Sequence, residues 1–273
     1  MGWGLNWPVM KSLLATLPPL SARAVAGLGG AALLFGLAAV TRQSLRPPPR
    51  AFPRLILLAL LNYTAWMGLA TVSLLWLSAA EAAIVCYTLP VWAALLAWPV
   101  LGEQPTPSRI AALAVALAGV GVLLGGSADF GAARWPGYAL ALGGAIAFAL
   151  GTVLVKRAPL PLPPVAAVFW QVALGTTVML ALALLTETPE WGRLSATGWL
   201  LMGYMAAVPL CLCYVTWFRA LAMLPASAAT VGVLLVPVIG SLSAAVSLGE
   251  AFGLRETLAL LLTLGGIVLA ARA

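Results

Sequence analysis

Apolar runs of about 20 residues, separated by short proline- and glycine-rich segments, follow one another along the whole chain. A helix of about this length spans the roughly 30 Å hydrocarbon core of a membrane. Only 8% of the residues are charged, whereas a soluble domain carries roughly 25%. We therefore predict an all-α integral membrane protein, and the lack of polar–apolar alternation argues against a β-barrel.

The helix breakers divide the chain into ten predicted transmembrane helices joined by short connections, which leaves no room for an inserted soluble domain. The predicted helices are residues 1–16, 19–41, 52–76, 79–101, 107–126, 136–158, 163–186, 197–222, 226–248 and 253–272. The first is shorter than a full span, and we expect the printed chain to begin partway into helix 1.

A motif of proline, apolar residues and Leu-Gly-Glu occurs twice, at residues 90–103 and 237–250, with an offset of 147. The same offset pairs Gly119 with Gly266. Five helices, an odd number, separate the two copies, so the second half must be inverted relative to the first. We predict a five-plus-five inverted repeat around a central cavity, an architecture common among secondary transporters. Its halves are residues 1–126, with helix 1 truncated at its start, and 136–273.

The distribution of charge predicts the orientation of the chain in the membrane. On the side of the termini lie nine Lys or Arg residues and one acid, against five Lys or Arg residues and six acids on the other side. An excess of Lys and Arg marks the cytoplasmic face. We therefore expect a multi-pass protein of the cell inner (plasma) membrane with both termini in the cytoplasm, and the net charge of +7 reflects topology rather than nucleic-acid binding.

Three local sequences resemble the drug/metabolite transporter superfamily, and within it the EamA-type proteins with ten helices. They are WGLNWPVMK at 3–11, LPASAAT at 224–230 and the two P…LGE motifs. The resemblance covers essentially the whole chain. It implies a basket-like bundle with a central cavity, helices 5 and 10 at the periphery, and export of small metabolites. Because amino acid exporters, including an aromatic branch, belong to this group, an apolar or aromatic amino acid is the expected substrate.

Polar and aromatic side chains inside the membrane are the candidate substrate-binding groups, because a polar group in lipid is costly unless it faces the bundle interior. The candidates are Asn6, Trp7, Asn62, Tyr63, Trp66, Tyr87, Trp92, Tyr214 and Trp217. Aromatic rings with a few amides and hydroxyls suit a zwitterion with an apolar or aromatic side chain. Ordinary helix packing is the alternative, and Asn6 is equally well explained by a hydrogen bond to a neighbouring helix.

Four further residues are candidates for coupling or gating. Pro90 and Pro237 occupy equivalent positions in the two motifs and are expected to perturb their helices in mid-membrane. Glu81 opens helix 4, where proton coupling and a favourable interaction with the helix dipole are the two explanations. Lys11 either faces the cavity or extends its ammonium group to the membrane interface.

The residues that chemistry on a substrate requires are missing from the sequence. There is no histidine, no G-x-S-x-G turn, no paired carboxylate and no P-loop lysine, which argues against an enzyme. The three cysteines lie within apolar runs, and we expect no metal and no cofactor. The expected partners are a small-molecule substrate and the lipid bilayer, with the protein as a monomer or weak oligomer. A carrier of a nucleoside or sugar derivative, a channel and a lipid-handling subunit are the alternatives.

Overall fold

The computed structural model describes residues 1–125, 134–216 and 226–272, with side chains over 1–123, 134–216 and 235–272. The described residues form a helical bundle, in agreement with the predicted class. We number its helices α1 Gly2–Leu13, α2 Pro19–Val40, α3 Pro49–Ser73, α4 Ala79–Leu101, α5 Pro107–Gly125, α6 Trp135–Arg157, α7 Pro164–Thr186, α8 Ala196–Thr216, α9 Ala226–Leu248 and α10 Leu254–Arg272.

Seven helices in the described part of the chain, namely α2, α3, α4, α6, α7, α8 and α10, are long and apolar enough to cross a membrane. The helix α1 has 12 residues. Shorter apolar stretches, Pro107–Leu123 and Leu235–Leu248, lie in α5 and α9. The chain is therefore a multi-pass helical membrane protein.

The two Leu-Gly-Glu motifs end α4 and α9 in the same way. Gly102 and Gly249 have φ angles of +77° and +66°, in the left-handed region. Glycine adopts this conformation without the steric cost that a Cβ brings, and it commonly follows the last turn of a helix. The local role of the repeated motif is thus a helix stop.

Three membrane helices depart from regular α-helix in their interior. α3 contains a π-helical turn at Leu60–Ala65, and α8 contains one at Val208–Leu212. An offset of 147 carries the first turn onto the second to within one residue. α4 is interrupted between Cys86 and Leu89, so the perturbation expected at Pro90 is confirmed.

The equivalent perturbation expected at Pro237 is wrong. α9 stays α-helical from Ala226 to Leu248, with Pro237 inside it. In α4 both the hydroxyl and the backbone N–H of Thr88 donate to the Val85 carbonyl, at 2.6 and 3.1 Å. Leu235 stands at the matching position of α9 and has no hydroxyl to offer.

The peripheral pair α5 and α10 crosses at two glycines that are related by the 147-residue offset. A Cβ on Gly119 would come within 2.6 Å of the Ala259 carbonyl oxygen, and one on Gly266 within 2.6 Å of the Ala112 carbonyl oxygen. Only a residue without a side chain permits this close approach of two backbones. The two halves of the chain therefore contribute equivalent residues to the crossing.

The remaining contacts place α2 against α7, and α3 between α6 and α7. α1 packs against α9, and α6 packs against α4. Exchanging the two halves turns the pair α1–α9 into α6–α4, and the pair α2–α8 into α7–α3. Each of these four pairs is in contact. The central elements α4 and α9 also meet each other.

We expect Gly266→Val to destabilise the bundle, because its side chain would overlap the α5 backbone. Overpacking of a tight contact costs about 1–3 kcal/mol. The measurement is the thermal unfolding midpoint of the detergent-purified protein. Gly265→Val is the matched control, since a Cβ at Gly265 meets no atom within 4 Å. Equal midpoints for the two variants would contradict the crossing geometry.

Candidate functional site

The predicted substrate-binding aromatics fall into one core of the bundle. The buried members are Trp7, Tyr63, Trp66 and Tyr87, and the partly buried Trp92 and Tyr214 pack against the same core. Trp217 lies outside the described residues. The structure thus brings six of the predicted aromatic residues into one core.

Several of these rings have specific partners. The Trp3 ring meets Tyr214 edge to face, with centroids 5.5 Å apart, and its indole N–H donates to the Pro209 carbonyl at 3.0 Å. Pro209 belongs to the π-helical turn of α8. The Trp66 ring lies 5.2 Å from Phe148. Aromatic pairing across helices therefore fixes much of this core.

The two predicted asparagines differ in their contacts. Asn62 donates from its amide nitrogen to Gln171 Oε1 at 2.8 Å and so links α3 to α7. The Asn6 carbonyl oxygen is buried and accepts no hydrogen bond from the described residues. Asn62 thus makes the kind of interhelical contact that was the alternative for Asn6, while both asparagines keep a buried side-chain oxygen without a described donor.

Carboxylates tie together one end of the bundle, where α3 and α9 end and α4 and α10 begin; we call it the Glu250 end. Glu250 follows α9 and accepts hydrogen bonds from the backbone N–H groups of Ala79 at 2.9 Å and Ala80 at 3.3 Å. The first N–H groups of a helix have no partner within it and carry a partial positive charge. A carboxylate from α9 therefore seals the beginning of α4.

Glu81 lies at the centre of this end, with its side chain only 4% exposed. It forms a capping box with Ser78, accepts a hydrogen bond from the Tyr138 hydroxyl at 2.9 Å and pairs with Arg134. Arg255 approaches its other oxygen at 3.5 Å. Glu81 thus occupies the helix-terminus position, and its two arginine partners were not anticipated from the sequence.

Lys11 also binds at the Glu250 end. Its ammonium group donates to the Leu77 carbonyl at 2.8 Å and to the Leu74 carbonyl. Both carbonyls follow the last turn of α3, where the helix leaves acceptors unpaired. Lys11 therefore joins α1 to the end of α3.

At the opposite end, which we call the Glu103 end, the described residues include an exposed ion pair. Glu103 pairs with Lys156 at 2.6 Å, with side chains that are 45% and 65% exposed. The hydrogen bond from Lys156, and then its charge, lower the pKa of Glu103 below the usual glutamate value. An exposed ion pair of this kind contributes little to stability. The two ends thus differ, with a buried network at one and an exposed pair at the other.

Arg23 is a buried cation that the sequence analysis did not select. It lies in the second turn of α2 and is 4% exposed. Its Nε donates to Thr71 Oγ1 at 2.9 Å, while Nη1 is buried without a partner among the described residues. The one signal in the sequence was an arginine several residues inside an apolar run.

Gly27, one helical turn after Arg23, makes room for two hydroxyl groups in the same region. A Cβ at Gly27 would overlap the hydroxyl oxygens of both Tyr63 and Thr176. Arg23, Tyr63 and Thr176 therefore bring polar atoms from α2, α3 and α7 to one buried place. We call these three residues, with Thr71, the Arg23 cluster.

We expect Glu81→Gln to destabilise the protein far more than Glu103→Gln. Glu81 loses buried, charge-assisted hydrogen bonds, each contributing about 1.5–3 kcal/mol, whereas Glu103 loses an exposed pair. The measurement is again the thermal unfolding midpoint in detergent. The expected result is a clear drop for Glu81→Gln and a shift within experimental error for Glu103→Gln. A drop of the same size in both would show that burial of Glu81 at the Glu250 end adds nothing to the stability of the protein.

Comparison with known proteins identifies relatives over nearly the whole chain. The EamA-like transporter family matches residues 1–125 and 135–272. YvbV of Bacillus subtilis (strain 168), named an uncharacterized transporter, is 30% identical over 271 residues, covering 98% of this chain and 87% of its own. YoaV of the same organism, also named an uncharacterized transporter, is 22% identical over 269 residues, covering 97% and 91%. A solved crystal structure superposes with a TM-score of 0.72 and 23% identity over 99% of this chain and 94% of that one, which supports the fold.

Proposed function

We propose, from the premise that this chain belongs to the EamA-like transporter family and with it to the drug/metabolite transporter superfamily, that it exports amino acids with apolar or aromatic side chains. Its relatives carry the name of transporters, and a small-molecule substrate and a lipid bilayer follow from the family. The observation that carries the finer proposal is the buried core of aromatic rings with unpaired polar atoms among them.

We infer that the chain has ten transmembrane helices in two inverted repeats, residues 1–126 and 136–273. The symmetric glycine crossing of α5 with α10, the two π-helical turns and the exchange of packing partners between halves support this inference. Inversion places Glu103 and Glu250 at opposite faces of the membrane. The excess of Lys and Arg on the side of the termini makes the Glu103 end cytoplasmic, in the cell inner membrane.

The transport mechanism we propose is alternating access, in which the two ends open in turn. Closure of the Glu250 end in this proposal rests on two contacts: Glu250 binds the start of α4, and Lys11 binds the carbonyls of Leu74 and Leu77. To open that end, both contacts must break. Charge-assisted hydrogen bonds contribute about 1.5–3 kcal/mol each, so equivalent contacts must form at the other end if the two states are to be similarly populated.

The repeat supplies those equivalent contacts. Glu103 matches Glu250 at the 147-residue offset, and the beginning of α9 matches the beginning of α4 at the same offset. We infer that Glu103 leaves Lys156 and seats on the first N–H groups of α9 when the Glu103 end closes. The carbonyl-binding role of Lys11 then passes to Lys156, which aligns with it at an offset of 145.

The buried core favours an amphipathic substrate. Trp7, Trp66 and Tyr87 offer apolar ring surface, and Asn6 offers an unpaired acceptor for a donor such as an ammonium group. Sites for small ligands combine a mostly apolar lining with a few placed polar groups. An apolar or aromatic amino acid matches both parts of this lining.

We expect the purified chain in proteoliposomes to catalyse saturable counterflow of radiolabelled phenylalanine, accelerated by unlabelled phenylalanine on the opposite side. Trp66→Ala should lower the counterflow rate about tenfold, since a buried aromatic anchor is commonly worth more than 1 kcal/mol. Trp98→Ala is the matched control, because that ring is 52% exposed. Linear, non-saturating flux would indicate a channel. Counterflow of a nucleoside or sugar derivative alone would move the substrate to that class.

We expect the Glu250→Gln variant to open the Glu250 end more often. The probe is Leu77→Cys, a position that is 1% exposed, in a chain whose Cys86, Cys211 and Cys213 are replaced by alanine. Loss of the carboxylate from the start of α4 should raise the rate of maleimide labelling at position 77 about tenfold, which corresponds to about 1.4 kcal/mol. The companion variant Glu103→Gln should lower that rate or leave it unchanged. Equal rates in both variants would overturn the proposed gating.

A further inference from the structure

We propose that Arg23 binds the carboxylate of the transported solute, with Thr71 orienting the guanidinium group and the hydroxyls of Tyr63 and Thr176 completing the site. The carboxylate is the part of the solute that this site recognises. The proposal rests on the proposed function only in taking the bound molecule to be the transported one. It is based on a buried guanidinium group that has no negatively charged partner among the described residues.

A buried arginine inside a membrane bundle is costly unless it is paired. Only 4% of the surface of Arg23 is exposed. Its partner is a neutral hydroxyl, Thr71 Oγ1, and among the described residues no carboxylate lies within 4 Å of it. Nη1 donates to no described atom although it is shielded from solvent. The site thus holds an uncompensated positive charge and an unused donor.

Most of the other buried or half-buried cations of the described chain have polar partners. Arg134 and Arg255 pair with Glu81. Lys11 donates to two carbonyls, and Arg54 donates to the Leu154 carbonyl at 2.7 Å. Arg109 is half-buried and, like Arg255, keeps a buried Nε without a described acceptor. Arg23 is the most deeply buried of these cations, and a ligand carboxylate would supply the partner that its Nη1 lacks.

The carboxylate that contacts the start of α2, that of Glu187, already has hydrogen-bond partners. Glu187 accepts hydrogen bonds from the backbone N–H groups of Leu20 at 2.9 Å and Ser21 at 2.7 Å, and from the Ser21 hydroxyl at 2.7 Å. Its carboxylate therefore holds the start of α2 in place and is used there. This contact positions Arg23, two residues further along, without neutralising it.

The composition of the Arg23 cluster favours a monoanionic carboxylate. A guanidinium group presents a planar fork of donors that matches the two oxygens of a carboxylate, and Nε is already fixed by Thr71. The hydroxyls of Tyr63 and Thr176 meet at Gly27, one turn along α2 from Arg23, and can donate to the same ligand. One cation with neutral hydroxyls balances a single negative charge, whereas a phosphate dianion would remain half compensated.

Aromatic side chains of the same core offer an apolar surface for the rest of the solute. Tyr63 of the Arg23 cluster belongs to this core, and Tyr214 packs against it and meets Trp3 edge to face. A carboxylate held at Arg23 therefore leaves an attached apolar or aromatic group in the aromatic core.

The test is equilibrium binding to the detergent-purified full chain, with 3-phenylpropionate and its amide as probes of equal shape. The wild-type protein should bind the acid about 30-fold more tightly than the amide, the size expected for a hydrogen bond to a charged group. Arg23→Gln should bring the affinity for the acid down to that for the amide. The control Arg54→Gln should keep the wild-type ratio, since Arg54 binds only a backbone carbonyl.

A variant that does not fold would not decide the question, so stability and a milder change are measured in parallel. Arg23→Met should unfold at the wild-type temperature or above, because it removes a buried unpaired charge. A structural arginine would instead give a large loss. Arg23→Lys keeps the charge without the fork and should lower the acid preference about tenfold. Retention of the full acid preference in Arg23→Gln or in Arg23→Lys would overturn the proposal.

The design separates this inference from the proposed function. If the wild-type protein binds the acid selectively and shows no counterflow, transport fails and the carboxylate site stands. If it transports phenylalanine but binds 3-phenylpropionate and its amide equally, the carboxylate site fails and transport stands.

Discussion

The interaction on which this structure depends is the binding of helix N-termini by carboxylates from distant parts of the chain. The first N–H groups of each helix have no partner within the helix and need acceptors from elsewhere. Carboxylates from other helices supply them, from Glu187 to α2 and from Glu250 to α4. These contacts join segments more than 160 residues apart. At the Glu250 end, the same hydrogen bonds therefore satisfy the helix backbone and hold the helices together.

Much of the fold was predictable because its determinants are local. Helix length, proline at helix starts and the Gly-Glu stops are read directly from neighbouring residues. The helix α9 shows the limit of such reasoning. The two prolines have different neighbours: Thr88 adds a hydroxyl hydrogen bond to the Val85 carbonyl just before Pro90, whereas Leu235 stands at the matching position before Pro237. The proline alone does not determine the outcome.

The site was predictable only in its aromatic part. Large apolar rings inside predicted membrane helices are visible in the sequence, and most of them meet in one core. Charged groups are different, because counting Lys and Arg by side assigns each cation to an interface. Arg23 was counted in this way, yet the packing of α2 against α3 and α7 buries it. Likewise, Arg134 and Arg255 reach Glu81 from 53 and 174 residues away.

The placement of Arg23 connects recognition of the solute to the state of the bundle. Arg23 follows the Glu187-bound start of α2 by two residues, and its hydroxyl partner Thr71 lies just before the α3 carbonyls that Lys11 holds. An uncompensated charge at this point raises the free energy of the empty closed state. If a carboxylate neutralises it, the solute stabilises the bundle where the closing contacts converge. Differential affinity for two states is what lets a ligand shift their populations, and here a single buried guanidinium group supplies it.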